Sequence, residues 1–267
     1  MSTPIIDFHT HAFPDELAGR AIAHLEAEGG IKARLDGRVS SLLAAMDRTG
    51  ISTSVVCSIA TRPGQFDSIL AWSRRIASER IIPFPSIHPA DPDYREHLKK
   101  VAGAGFKGIK LHPYYQDFDL DSPVLFPVYE ELCRHGLILQ AHTGFDFAFE
   151  YVDRCGPARI MEVVRRYPEL KLVATHLGAW KQWDEVEDLL AGHPVYLEIS
   201  FSLEFLDREQ ALRILSRHDP GRILYGSDSP WTDQQTTLEL FQGLELGPEL
   251  EAAVLAGNAR RLLGLNG

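Results

Sequence analysis

Eight short runs rich in branched and apolar residues recur along the chain, each followed by a segment of helical periodicity. That alternation narrows the fold more than any other feature of the sequence. The runs are Pro4–His11, Thr53–Ile59, Ile81–His88, Phe106–His112, Gly136–His142, Lys171–His176, Val195–Ser200 and Arg222–Ser227. Several are apolar almost throughout, such as Ile-Ile-Pro-Phe-Pro-Ser-Ile and Leu-Ile-Leu-Gln-Ala, as parallel strands covered on both faces must be. Successive starts lie about 25–35 residues apart, one βα unit each. The expected fold class is therefore α/β, a distorted (β/α)8 TIM barrel. An open sheet with helices on both faces is the lesser alternative.

The first βα segment is longer than the rest. Its extra stretch, Phe13–Arg38, is expected to form a flap over the barrel mouth. Other helices carry recognisable ends. Ser40 is placed to cap a helix over Ser41–Thr49 that Gly50 stops, Pro127 opens one running to His135 before Gly136, and Pro157 opens one through Arg166. Amphipathic segments at Leu238–Gly243, Pro248–Ala256 and Asn258–Leu263 close the chain. No linker or low-complexity tract interrupts the alternation, so residues 1–267 read as one domain.

Composition removes several function classes. The chain has 267 residues, 45% hydrophobic and 24% charged, with a formal net charge of −10. Nucleic-acid binding needs a basic surface to displace phosphate counterions, and an anionic membrane repels a chain of this sign. No basic and apolar leader opens the sequence, and no apolar stretch nears the roughly 18 residues of a membrane span. The three cysteines, Cys57, Cys133 and Cys155, form no CxxC. The expected setting is cytoplasmic, with a small-molecule substrate and neither nucleic acid nor membrane as partner. A homodimer is compatible with the sequence, although no feature of it demonstrates one.

The 11 histidines supply the chemistry. His9, His11, His88, His112, His142 and His176 stand at the C-terminal ends of expected strands, the end that forms the active face of a TIM barrel. His24, His97, His135, His193 and His218 fall in helices or turns and read as solvated or capping residues. In Asp7-Phe8-His9-Thr10-His11 the two imidazoles point to one face, about 6.5 Å apart along the strand. With His142, His176 and Asp228 closing three later strands, four nitrogens and a carboxylate meet in one cavity. Zn2+ or a similar transition ion, Mn2+ included, suits such donors.

These residues resemble the amidohydrolase superfamily, specifically its amidohydrolase-related branch of lactone hydrolases and aminocarboxymuconate-semialdehyde-type decarboxylases. The resemblance spans the chain, from the HxH through Gly108-Ile109-Lys110-Leu111-His112-Pro113, His142, His176-Leu177-Gly178 and Gly226-Ser227-Asp228 to Gly257-Asn258-Ala259-Arg260-Arg261. It implies metal ligation by His9, His11, His142 or His176, and Asp228. In two-metal relatives a strand-4 lysine, here Lys110, is carbamylated and bridges the ions. Lys110 otherwise grips a substrate carboxylate or pairs with an acid inside the barrel, and the sequence leaves all three open. The main expectation is hydrolysis: a metal-activated water attacks the carbonyl of a small lactone or amide, with Asp228 as general base and acid and His176 orienting water or substrate. The alternative is non-oxidative decarboxylation of an aromatic or unsaturated acid. His112, Tyr114, Arg62 and Trp180 are the candidate substrate-binding residues, with His88 and Trp231 next to them. Asp7 is expected to support the first-strand loop and Cys57 to sit in the core.

Overall fold

The computed structural model describes residues 4–265. All eight expected strands form, each shorter than its run: β1 Ile6–Thr10, β2 Thr53–Cys57, β3 Ile81–Phe84, β4 Gly108–Leu111, β5 Ile138–Ala141, β6 Lys171–Ala174, β7 Tyr196–Glu198 and β8 Ile223–Leu224. All pairings are parallel, in two sheets of order β1-β2-β3 and β4-β5-β6-β7-β8.

Irregular hydrogen bonds join the sheets. At one seam Lys110 N donates to Pro85 O (3.0 Å), and Ser86 Oγ donates to Lys110 O (2.7 Å). Prolines at 83 and 85 lack the N–H that a regular ladder needs, which accounts for the break there. At the other seam Phe8 N donates to Tyr225 O (2.8 Å), Asp228 N donates to His9 O (2.7 Å), and Thr10 bridges to Ser229. The result is a distorted (β/α)8 barrel whose distortion is concentrated at β3 and β8.

The segment expected as a flap is an α-helix, Asp15–Gly29, ended by Gly30 in the left-handed region and followed by a loop. The next helix spans Val39–Thr49 and ends at Gly50 as expected, but Ser40 lies inside it and no side chain caps it. Helices Phe126–His135 and Pro157–Arg166 match their sequence signals, each with proline in the first turn. The first of the three closing helical segments begins earlier than expected, at Gln234, where Asp233 accepts from Gln235 N and Thr236 N. Two of the five histidines expected as solvated or capping are buried. His218 Nε2 meets Val195 O at 2.9 Å, and His97 stacks on Phe66. Among the described residues no helix is long and apolar enough to cross a membrane.

Candidate metal centre and active-site cavity

The C-terminal strand ends converge on a cavity of about 550 Å3. At its floor, His9 Nε2, His11 Nε2 and Asp228 Oδ1 form a triangle with sides of 3.2, 3.4 and 3.2 Å. Donors about 2.1 Å from one ion stand about 3.0–3.4 Å apart, so this triangle fits the face of a coordination polyhedron. Beside it, His142 Nδ1 and His176 Nε2 are 3.1 Å apart.

The other nitrogen of each ring explains why these four point inward. His9 Nδ1 lies 2.9 Å from Glu198 Oε2, and His11 Nδ1 lies 2.9 Å from Cys57 O. His142 Nε2 lies 3.2 Å from Phe145 O, and His176 Nδ1 lies 3.1 Å from Ser200 O. Each acceptor takes the ring proton and leaves the inward nitrogen as a lone pair. The residues present therefore fit a divalent ion. Burial reinforces this by disfavouring imidazolium: it pushes His9 and His142 well below the usual histidine range and His176 down to about 4.

The backbone is committed to the arrangement. His176, Leu177 and Asp228 all have positive φ (60°, 53° and 64°), which is uncommon for residues with a Cβ and unusual for leucine. Leu177 N donates to Glu198 O at 2.6 Å, holding the bend after β6 against β7.

Lys110 is 1% exposed, with Nζ 3.0 Å from His9 Nε2. Burial lowers its pKa. No carboxylate lies within 4 Å of it among the described residues, so the ion-pair role inside the barrel lacks a partner. Asp7 accepts from His9 N, Ser227 N, Ser227 Oγ and Gln234 Nε2, tying β1 to the turn after β8. Burial raises its carboxyl to about 6.

His112 and Trp180 line the cavity, as does Trp231. Arg62 and Tyr114 do not line it. Arg62 is exposed, on a turn held by its own N–H to Gln65 Oε1. Tyr114 turns away to donate to Val152 O (2.7 Å), and its neighbour Tyr115 faces the cavity instead. His88 also lies outside the lining. The arginine that does line it is Arg75, carried with Trp72 on the helix Phe66–Ile76. Cys57 sits in the core as expected, with burial raising its thiol to about 12.

Asp146, in the loop after β5, was not legible in the sequence. Its Oδ1 accepts from Ala148 N (2.8 Å), and its Oδ2 lies 3.3 Å from His112 Nε2 and 3.8 Å from His142 Nε2. The His112 and His142 rings are stacked, with centroids 4.1 Å apart and planes 12° apart. Parallel rings cannot both aim in-plane lone pairs at one ion, so this cluster is a carboxylate holding two imidazoles and not a second chelate.

Among curated proteins none matches the sequence. Solved structures match over nearly the whole chain at low identity. One is 5-carboxyvanillate decarboxylase from Sphingomonas paucimobilis (17% identity, TM-score 0.72, covering 98% of this chain and 99% of that one). Another is a dihydroxybenzoic acid decarboxylase from Polaromonas sp. JS666 with bound manganese and the inhibitor 2-nitroresorcinol (14%, 0.75, 100% and 98%). A third is a candidate 2-pyrone-4,6-dicarboxylic acid hydrolase from Pseudomonas putida (19%, 0.69, 100% and 100%). At these identities the likeness shows the fold. The amidohydrolase family model matches residues 6–265, and the chain belongs to the amidohydrolase family.

Proposed function

We propose that this protein is a divalent-metal-dependent decarboxylase of a small aromatic carboxylic acid. The observation that carries the reading is the cavity. Leu17, Ile31, Trp72, Phe147, Trp180 and Trp231 give it largely apolar, aromatic walls, and its floor holds the ligand cluster and one buried amine, Lys110. A flat apolar ring with a carboxylate at one edge matches that distribution. Decarboxylases of 5-carboxyvanillate and dihydroxybenzoate share the fold, and one of them holds manganese.

His9, His11, His142, His176 and Asp228 would hold the ion, and their nitrogen and oxygen donors suit Mn2+ and Zn2+ alike. When bound, the ion supplies positive charge that draws in the substrate carboxylate and offsets negative charge developing on the ring. Lys110 approaches the same carboxylate from β4. The aromatic walls fix the ring and exclude water. As the bond to the carboxyl carbon breaks, CO2 leaves and the electron pair stays on the ring carbon; Asp228, having taken up a proton from solvent, would deliver it to that carbon and return to its carboxylate form.

Hydrolysis of a lactone or amide is the second reading, and a specific observation favours it. The paired nitrogens of His142 and His176 lie beside a lysine whose pKa burial lowers, as a second ion and a Lys110 carbamate would require.

The test reconstitutes the chain with Mn2+ and offers 2,6-dihydroxybenzoate, 5-carboxyvanillate and a panel of lactones and amides. Release of CO2 from an aromatic acid, lost in Asp228→Asn, is expected. Turnover of lactones or amides without CO2 from any acid overturns the reading.

A further inference from the structure

No candidate functional residue falls on the seventh strand in the sequence, yet Glu198 at the end of β7 and Ser200 just beyond it anchor two of the four inward-facing histidines. Glu198 and Ser200 are two residues apart and point to the same face. Glu198 is fully buried, and each of its oxygens has a partner. Oε2 lies 2.9 Å from His9 Nδ1 and accepts from Ser200 Oγ at 2.8 Å, while Oε1 accepts from Ser200 N. Ser200 Oγ is also 2.9 Å from His9 Nδ1 and 3.3 Å from His176 Nδ1, and Ser200 O takes the His176 ring at 3.1 Å. Space has been cleared for this carboxylate: a Cβ on Gly226, across from it, would collide with Glu198 Oε1 and crowd His9 Cβ.

We infer that Glu198 is a positioning residue that fixes the tautomer of His9, and that with Ser200 it locks the first-strand and sixth-strand histidines into one metal-binding geometry. The inference rests on the metal-dependent reading of the site. A carboxylate can only accept, so it holds His9 with its proton on Nδ1 and its lone pair on Nε2, facing His11 and Asp228. Without that acceptor the ring can carry its proton on Nε2 and lose the coordinating lone pair.

The amide isostere separates this role from packing. In Glu198→Gln the oxygen must stay opposite Ser200 N–H, because the reverse orientation sets two donors against each other. The amide NH2 then faces His9 Nδ1 across the 2.9 Å now spanned by Oε2. It requires an acceptor there and drives the proton to Nε2. A side chain that merely fills space would tolerate the change. Ser200→Ala keeps the carboxylate and the Ser200 carbonyl, so it should be milder.

The experiment measures Mn2+ binding by the free-ion paramagnetic resonance signal in the unmodified protein, Glu198→Gln and Ser200→Ala, with thermal midpoints to confirm folding. It also records nitrogen-15 histidine spectra of the Zn2+-loaded, diamagnetic protein. About 10–100-fold weaker binding in Glu198→Gln is expected, with a smaller loss in Ser200→Ala. A slowly exchanging Nδ1 proton of His9 should appear in the unmodified protein and be absent from Glu198→Gln. Folded Glu198→Gln that binds Mn2+ as tightly as the unmodified protein overturns the positioning role alone. An unmodified protein that binds no ion overturns the functional reading together with the inference built on it.

Discussion

His142 Nδ1 and His176 Nε2 face each other at 3.1 Å, although the opposite nitrogen of each ring already lies against a backbone carbonyl, Phe145 O for one and Ser200 O for the other. With each neutral ring spending its single proton on that carbonyl, two lone pairs are left pointing at one another. A cation between them relieves the repulsion, and Lys110 stands next to the neighbouring His9. The number of ions in the site therefore turns on Lys110.

Metal content of protein purified without chelator in bicarbonate buffer decides between the arrangements. About two equivalents per chain, falling to one or fewer in Lys110→Ala, indicates a carbamate-bridged pair and favours hydrolysis. About one equivalent, unchanged in the variant, leaves Lys110 to meet a substrate carboxylate. In both cases His11→Ala should lose the ion held with His9 and Asp228.

Stability of the ion-free protein should fall as the pH drops below about 6.5. His9, His112, His142 and His176 all have lowered pKa values, chiefly from burial, so they stay neutral in the fold and take up protons on unfolding. Their contribution is complete above the unfolded value of 6.5 and is lost as the pH falls toward the folded values, about 4 for His176. Asp7, raised to about 6, acts oppositely: the fold holds a proton there that the unfolded chain releases. Four histidines against one carboxyl leave a net loss on acidification. Urea midpoints at pH 7.5, 6.5 and 5.5 should decline in that order, and a flat or rising series would contradict it.

Arg75 and Arg62 should separate cleanly in kinetics. Arg75→Ala should raise KM for an anionic substrate several-fold, because Arg75 lines the cavity. Arg62→Ala should leave both kcat and KM within about twofold. The reverse pattern would mean that the turn bearing Arg62 closes over the substrate.

Gly144→Ala should be strongly destabilising. Gly144 has φ +83°, and a Cβ there would run into the Trp180 backbone, to which it bridges. Trp180 N donates to Thr143 O, and Phe145 N donates to Trp180 O, both at 3.0 Å, zipping the loops after β5 and β6 together over the mouth. A cost of about 2–4 kcal/mol is expected from strain and overpacking combined, read as a lowered urea midpoint. A wild-type midpoint would show that the zipper can shift freely.

Native thiol labelling provides a simple check on the interior. Cys57 and Cys155 are buried with raised pKa values, and Cys133 is half-buried. One cysteine should react slowly in the folded protein and all three in denaturant. Fast labelling of Cys57 would mean that the cavity floor opens.

The eight strands and the gathering of His9, His11, His142, His176 and Asp228 were legible in the sequence. Parallel strands buried on both faces must be continuously apolar, and a barrel brings all their C-terminal ends to one mouth. A polar residue at such an end thus has its destination fixed by local pattern alone. The helix Asp15–Gly29 was visible only as surplus length, and Ser40 misled because a serine near a helix start caps only if the backbone there is non-helical. Glu198, Asp146 and Arg75 were beyond the sequence. Glu198 and His9 are 189 positions apart, and their contact exists because seam hydrogen bonds set β1 against the end of β8, with β7 one strand further on. Which side chains meet across that distance is set by strand register and stagger, which a one-residue slip would reverse. Asp146 and Arg75 depend on loop and helix placement over the mouth, and Tyr115 replaces Tyr114 because of the turn after β4. The local pattern determined where the chemistry collects, and only the closed barrel decided which neighbours hold each imidazole in the tautomer that chemistry needs.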